Sequence, residues 1–231
     1  MPNEQQSPIN LHDPIFADLG DRKLDIQWPS DGHAVSGHVV PSDHGLKIAF
    51  SPDQRQYITL DWKRFHLVGF HFHHPSEHWV DGQQHTVELH VVHQNLNDGS
   101  LAVVGIFIEP SEADGSAPEM LRTLKGVLSG AAEQRHKTAI PTKPAEFLPP
   151  KTDEYFRYEG SLTTPEYAEV VRWVVMRNPL PMKAELLKSL IIDFGGEARF
   201  PQPLNRRFVL ATFRPEATEP PAPATRERRS R

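Results

Sequence analysis

The chain has 231 residues, 38% of them hydrophobic and 24% charged, enough to bury a full core, and an all-β chain of this length usually folds as one domain. A formal net charge of −5 argues against a nucleic-acid or anionic-membrane partner. The lack of cysteine excludes disulfides, thiolate metal sites and cysteine nucleophiles, favours a cytoplasmic location, and leaves His, Asp and Glu to hold any metal.

The N-terminal stretch "MPNEQQSPINLHDP" has no basic segment followed by an apolar run, so no export signal is expected. Beyond it, 22 prolines and 14 glycines are scattered through the chain and cut it into short pieces, the pattern of many strands joined by irregular loops. β-Branched and aromatic residues predict strands at Ala34–Val40, Leu46–Phe50, Tyr57–Leu60, Phe65–His74, Thr86–Gln94 and Leu101–Glu109. The last holds one of the longest apolar runs, Leu101–Ile108, far short of the ~20 residues that a membrane-crossing helix needs. In "SAPEMLRTLKGVLSGAAEQ", residues 116–134, Leu121, Leu124 and Leu128 recur at helical spacing, and Pro118 suits the first turn. A strand follows at Ala168–Met176. A second helix is predicted in "PMKAELLKSLIIDFGG", where Leu186, Leu187, Leu190 and Ile191 share a face before a glycine stop, and a last strand at Phe208–Phe213. These elements describe a mainly β fold with both helices packed on the sheet. The end, "TEPPAPATRERRSR", has too few hydrophobic residues to offset the entropy of ordering, so a domain over 1–213 and a disordered tail over 214–231 are expected.

Seven of the thirteen histidines fall in "GFHFHHPSEHWVDGQQHTVELHVVH", from Gly69 to His93. Side chains alternate faces along a strand, so His71 and His73 point one way while Phe70 and Phe72 point the other. Asp81-Gly82 signals a turn, and the following "TVELHVVH" places Glu88, His90 and Val92 on one face. Antiparallel pairing of the two strands would let His90 meet His71 and His73. Three neutral imidazoles give a tetrahedral zinc three protein ligands and leave a fourth position for water, the pattern of a catalytic site. A ligand imidazole normally donates its second N–H to an outer acceptor, and Glu88 is placed to accept it from His90. His78 is a further outer hydrogen-bonding candidate, while His74, His85 and His93 read as loop or structural groups. "HFHHPSE" also fits His-x-His-x3-Glu, the ligand spacing of cupins, in which Glu77 would join the metal.

Beyond the histidines, "QSPINL" (Gln6 to Leu11), "DGHAV" (Asp31 to Val35), "FHFHHPSEH" (Phe70 to His78), "ELHVVH" (Glu88 to His93), "LAVVGIF" (Leu101 to Phe107), "YEGSLTTP" (Tyr158 to Pro165) and "PQPLNRR" (Pro201 to Arg207) follow one another in a family's order. Together they resemble an α-class carbonic anhydrase of bacterial type, over about Gln5 to Phe213. The resemblance implies a single domain built on a central, mostly antiparallel twisted sheet of about ten strands, flanked by a few short helices, with zinc at the bottom of a conical cleft. It implies reversible hydration of CO2 to bicarbonate and a proton by attack of zinc-bound hydroxide, in a monomer or homodimer.

Residue by residue, the resemblance makes His71, His73 and His90 the Zn2+ ligands. Thr163 would accept the hydrogen bond of the zinc hydroxide and give its own proton to Glu77. A hydroxyl committed as donor to a carboxylate must accept from the hydroxide, which turns an oxygen lone pair toward CO2. Thr164 would lie near bicarbonate, and Val92, Val103, Leu162, Val171 and Trp173 would form the apolar wall that a small apolar substrate requires. His33 matches the proton shuttle, a task suited to an imidazole with pKa near ~6.5. Two departures stand out. "MPNEQ" replaces an aromatic-rich segment that supplies a cleft tyrosine, and Gly69 replaces a glutamine that in many relatives supports the ligand at His71. The alternatives are a catalytically silent binding module of the same fold and a cupin-like metalloenzyme.

Overall fold

A computed structural model describes residues 4–28, 35–42, 45–52, 55–112, 121, 139–194 and 197–214. The helix expected at 116–134 lies outside these residues apart from Leu121, as do His33 and the tail beyond 214. In chain order the strands are β1 (Asn10–Leu11), β2 (Ile15–Phe16), β3 (Asp25–Gln27), β4 (Val35–Ser42), β5 (Gly45–Phe50), β6 (Tyr57–Leu60), β7 (Lys63–His73), β8 (Trp79–Val80), β9 (Gln83–Gln84), β10 (Val87–Gln94), β11 (Leu101–Ser111), β12 (Ala139–Thr142), β13 (Tyr155–Gly160), β14 (Val171–Met176), β15 (Leu180–Lys183) and β16 (Leu210–Ala211), with one helix, α1 (Ala184–Phe194).

Thirteen of the strands form one sheet, ten of them in the order β12-β4-β5-β7-β10-β11-β14-β13-β16-β2, while β1, β8 and β9 make a small separate sheet. Pairing along the path is antiparallel except at β11/β14 and β16/β2, and β15 adds a further parallel contact to β11. The mostly antiparallel, mainly β architecture agrees with the fold class expected from the sequence, with thirteen strands in the sheet where about ten were expected.

Both faces of the central strands are covered, for a reason visible in β7 and β10. On one face Phe70, Phe72, Leu89, Val91 and Val104 join a large core with Ile48, Phe65 and Phe147. On the other, Val103, Phe107, Val171, Trp173 and Val175 form a second core with Tyr158, Ile9 and Leu11. β10 pairs Val92 with Gly69, then His93 with Leu67, so a bulge at Val68 shifts the register just beyond the histidines. Gly69 has no space for a side chain, because a Cβ there would lie 2.7 Å from the Ile48 carbonyl oxygen.

Helix α1 is shorter than its pattern predicts, because residues 180–183 pair as β15 beside β11 before the helix begins. Its amphipathic reading is correct: Leu187 and Leu190 are buried and Ile192 is exposed. Truncating either buried leucine to alanine would cost about 2–5 kcal/mol. The strand expected from Ala168 starts at Val171, since residues 161–170 form a turn closed by Leu162 N–H donating to the Ala168 carbonyl at 3.0 Å. The strand expected from Phe208 contracts to Leu210–Ala211, leaving Phe208 at the surface. Among the described residues no helix is long and apolar enough to cross a membrane.

One buried group has a consequence for pH. His93 is fully buried in the larger core, where Trp28 Nε1–H donates to its Nε2 at 3.2 Å. Burial pushes its pKa from 6.5 down to about 3. The folded ring therefore stays neutral where the unfolded chain takes up a proton. Its stabilising contribution is complete above pH 6.5 and is lost progressively as pH falls toward 3, at about 1.4 kcal/mol per unit. Replacing His93 with Gln keeps an acceptor for Trp28 and removes the titration. Urea unfolding measured as a function of pH should show a shallower acid slope for His93→Gln, by close to one proton; an unchanged slope would place the acid sensitivity elsewhere.

Candidate metal centre

The β7/β10 register sets His71 opposite His90 and His73 opposite Glu88. The three imidazoles therefore share the sheet face of the second core. Their ring centroids lie 4.7–5.2 Å apart, and each offers a nitrogen within 4.8 Å of the others. The hydrogen bonds dictate which nitrogens these are. Nδ1–H of His73 donates to the Glu197 carbonyl at 3.1 Å, leaving the Nε2 lone pair to face inward. Nε2–H of His90 donates to Glu88 Oε1 at 2.9 Å, which leaves its Nδ1 lone pair. The buried Nε2 atoms of His71 and His73 make no hydrogen bond. Buried polar atoms normally make a hydrogen bond, so these two Nε2 atoms, converging with His90 Nδ1, fit a cation with nitrogen ligands.

Glu88 is buried with no exposed surface. Its Oε1 accepts from His78 Nδ1–H at 2.7 Å as well as from His90, and its Oε2 accepts from the backbone amides of Glu77 and His78 at 3.0 and 2.8 Å. Burial alone would raise its pKa, yet His78 and His90 hold it well below the usual carboxylate range. His78, Glu88 and His90 also lie at metal-binding spacing, but their facing atoms are already spent on these hydrogen bonds. The network continues outward. Tyr158 Oη bridges His78 Nε2 at 2.6 Å and Ser7 Oγ at 2.9 Å, and Ser7 and Ser161 exchange backbone-to-hydroxyl bonds at 2.9 and 3.0 Å.

Glu77 lies beside two of the histidines. Its Oε1 accepts from the Arg199 amide at 2.9 Å, and its Oε2 lies 3.4 Å from His73 Nε2 and 3.8 Å from His90 Nδ1. Burial pushes its pKa up to about 8, against the opposing pull of the Arg199 amide and the Thr163 hydroxyl. Thr163 is buried beside it, although Oε2 closes no complete hydrogen bond. A cation next to the carboxylate would favour its ionised form.

Val103, Val171 and Trp173 are buried in the second core, and Val92 and Leu162 pack against it half-exposed. Trp173 stands edge-on to both His78 and His90, with centroids 4.7 and 4.8 Å away, and its Nε1–H donates to the Ser161 carbonyl at 3.0 Å. Thr164 is half-exposed, with its carbonyl accepting from Tyr167 N–H at 2.8 Å. His74 and His85 lie off the site: the first is bonded to the Thr86 carbonyl, the second to Glu109. His33 lies outside the described residues.

Several contributors were not singled out by sequence reasoning. Ser7, Tyr158 and Ser161 lay inside quoted motifs, but nothing in their spacing links residues more than 150 positions apart. Arg199 donates from its backbone to Glu77 and from Nη1 to the Ser7 carbonyl at 2.6 Å, so it ties the cluster to the N-terminal segment. Gly105 faces His90 across β10/β11, and a Cβ there would come within 2.9 Å of Glu88 Oε1. The glycine leaves room for the carboxylate.

A family model for eukaryotic-type carbonic anhydrase matches residues 2–213. A carbonic anhydrase from Klebsiella pneumoniae is 33% identical, with 89% of this chain and 79% of that protein aligned; one from Nostoc sp. is 31% identical, covering 89% and 75%. Among solved structures, the α-carbonic anhydrase of Thermovibrio ammonificans, in complex with the inhibitor sulfanilamide, superposes with a TM-score of 0.72 at 34% identity, covering 90% of this chain and 87% of that one. The α-carbonic anhydrase of Photobacterium profundum gives 0.73 at 31%, covering 90% of each chain. The chain belongs to the α-class carbonic anhydrase family, and its reaction is the reversible hydration of CO2.

Because Glu88 fixes the tautomer of His90 while satisfying four N–H donors, Glu88→Gln should weaken zinc binding by about 10- to 100-fold, as losses of outer hydrogen-bond partners do. Competition against a chromophoric chelator measures this. Unchanged affinity in a variant with wild-type near-ultraviolet circular dichroism would show that Glu88 does not orient the ligand.

Proposed function

We propose that His71 and His73 through Nε2, and His90 through Nδ1, hold a Zn2+ ion, and that CO2 hydration takes place directly above it. The observation that carries this reading is the convergence of three imidazole lone pairs whose opposite nitrogens, on His73 and His90, are tied to a carbonyl and a carboxylate. Bound zinc supplies Lewis-acid charge that lets water ionise near neutral pH, a property for which carbonic anhydrases are themselves the standard example. With only neutral imidazoles as ligands, the chain leaves that charge undiminished.

The remaining work falls to the chain's own groups. Thr163 lies beside Glu77, and in giving its proton to the ionised carboxylate it could only accept from the attacking oxygen, which would set the direction of the oxygen's lone pairs. Val92, Val103, Leu162, Val171 and Trp173 form a dry wall that tolerates CO2 and offers it no competing hydrogen bond. Thr164 sits beside the product bicarbonate. His33 carries the proton to solvent, a role resting on its place in "DGHAV". A cysteine-free, acidic chain supports cytoplasmic residence without a nucleic-acid partner.

Stopped-flow CO2 hydration on metal-analysed protein tests the proposal. His90→Ala should lose zinc and activity together, whereas Thr163→Ala should keep zinc and lose about a hundredfold in rate, the scale of one misplaced orienting hydrogen bond. Hydration retained by His90→Ala would refute the ligand set, and a zinc-loaded but inactive wild type would favour a silent binding module.

A further inference from the structure

A groove of about 650 Å³ is lined by Tyr158 but by none of the three histidines of the metal cluster. It lies between the β6/β7 hairpin tip, the short 3₁₀ turn at Gly20–Arg22 and the segment leading into β16. At the hairpin tip Leu60 pairs with Lys63, so only Asp61 and Trp62 form the turn, with φ of 51° and 61°. Such a turn needs positive φ at both central positions, and glycine is the usual second residue. A tryptophan there carries a cost in backbone strain. Burial does not repay it, because the indole is 68% exposed. Phe208, also lining the groove, is 69% exposed.

The charges around these aromatics are unbalanced. Four arginines line the groove against two carboxylates, in a chain whose net charge is −5. Asp61 is held by both terminal nitrogens of Arg157, and Glu159 lies 4.0 Å from Arg157 and from Arg172. Arg207 donates to three backbone carbonyls, of Leu204, Glu159 and Pro203, and meets no carboxylate there. Arg22 sits over the Trp62 ring at 5.0 Å, and the exposed Arg206 side chain has no ion pair or hydrogen bond among the described residues.

We infer that this groove docks an acidic protein segment carrying an apolar side chain, which inserts between Trp62 and Phe208 while its carboxylates meet Arg22 and Arg206. Tryptophan and arginine together are the residues that dominate protein interfaces. Guanidinium groups bind carboxylates through paired hydrogen bonds. A small ligand is disfavoured because such sites enclose most of their ligand, whereas here both aromatic rings stand out from the surface. Nucleic acid is disfavoured by the two carboxylates inside the groove and by the chain's overall negative charge. A symmetric pair of copies meeting through this patch would set arginines against arginines.

The test uses the full chain and a fluorescein-labelled synthetic peptide in which glutamates flank a phenylalanine. Anisotropy should report saturable binding that weakens with salt. It should fall at least about tenfold in Trp62→Gly and in Arg22→Glu combined with Arg206→Glu, a loss of hot-spot size. CO2 hydration should be unchanged in both variants, because among the described residues no hydrogen bond, ion pair or ring contact links these side chains to the metal cluster. Trp62→Gly should also melt at a higher temperature, since glycine adopts the turn without strain. The inference is overturned if no saturable binding occurs, if a peptide with lysines in place of the glutamates binds equally, if inorganic phosphate or a single-stranded oligonucleotide competes as well as the acidic peptide, or if the variants bind like the wild type.

Discussion

A fully buried carboxylate governs this molecule. Removing Glu88 from water is costly unless its oxygens are saturated with donors, and the fold supplies four: two backbone amides and two ring N–H groups. Meeting that demand has structural consequences. The chain after β7 must turn back so that the amides of Glu77 and His78 point at the carboxylate. His90 must adopt the tautomer that presents Nδ1, and Gly105 must lack a side chain. The same hydrogen bonds that satisfy the buried charge thereby orient the metal-binding face.

The sheet divides its two surfaces between different tasks. One face is a conventional core in which Phe70, Phe72, Leu89 and Val91 exclude water and fix the β7/β10 register. The other alternates with it residue by residue, so the same packing that buries the phenylalanines presents the histidines. The parallel β11/β14 pairing then sets Trp173 beside Val103, and the indole closes one side of the histidine cluster. Any slip of β10 by one residue would exchange His90 for Leu89 or Val91, and a register so strongly specified is difficult to lose. Stability and site geometry are therefore consequences of one alternation.

How much of this was legible in the sequence depends on range. The period of two in "GFHFH" and "VELHVVH" is local: it places His71 with His73 on one face of the first strand and Glu88 with His90 on one face of the second, and only the pairing of the two strands had to be supposed. Ser7 and Ser161, or Glu77 and Arg199, sit in connecting segments far apart in the chain that meet only in the folded molecule, and no local pattern encodes such meetings. Strands β12 and β15 escaped because each contains a proline, which demotes a strand reading. In the fold both lie where a proline can be tolerated, β12 at the end of the strand path and β15 beside the last residues of β11. Strand β13 was hidden by Arg157 and Glu159, whose charges are answered by Asp61 and Arg172. The family resemblance reached residues that physical pattern could not, Thr163 above all, since a threonine at a strand end names no role by itself.

The proposed ligand set is three imidazoles and no fourth side chain. Anomalous diffraction from zinc-loaded crystals at the zinc edge tests it most directly. The account predicts a single peak about 2.0–2.1 Å from His71 Nε2, His73 Nε2 and His90 Nδ1, with the fourth position left to a non-protein ligand. A peak lying instead among His78, Glu88 and His90, or one to which Glu77 contributes an oxygen ligand, would contradict it.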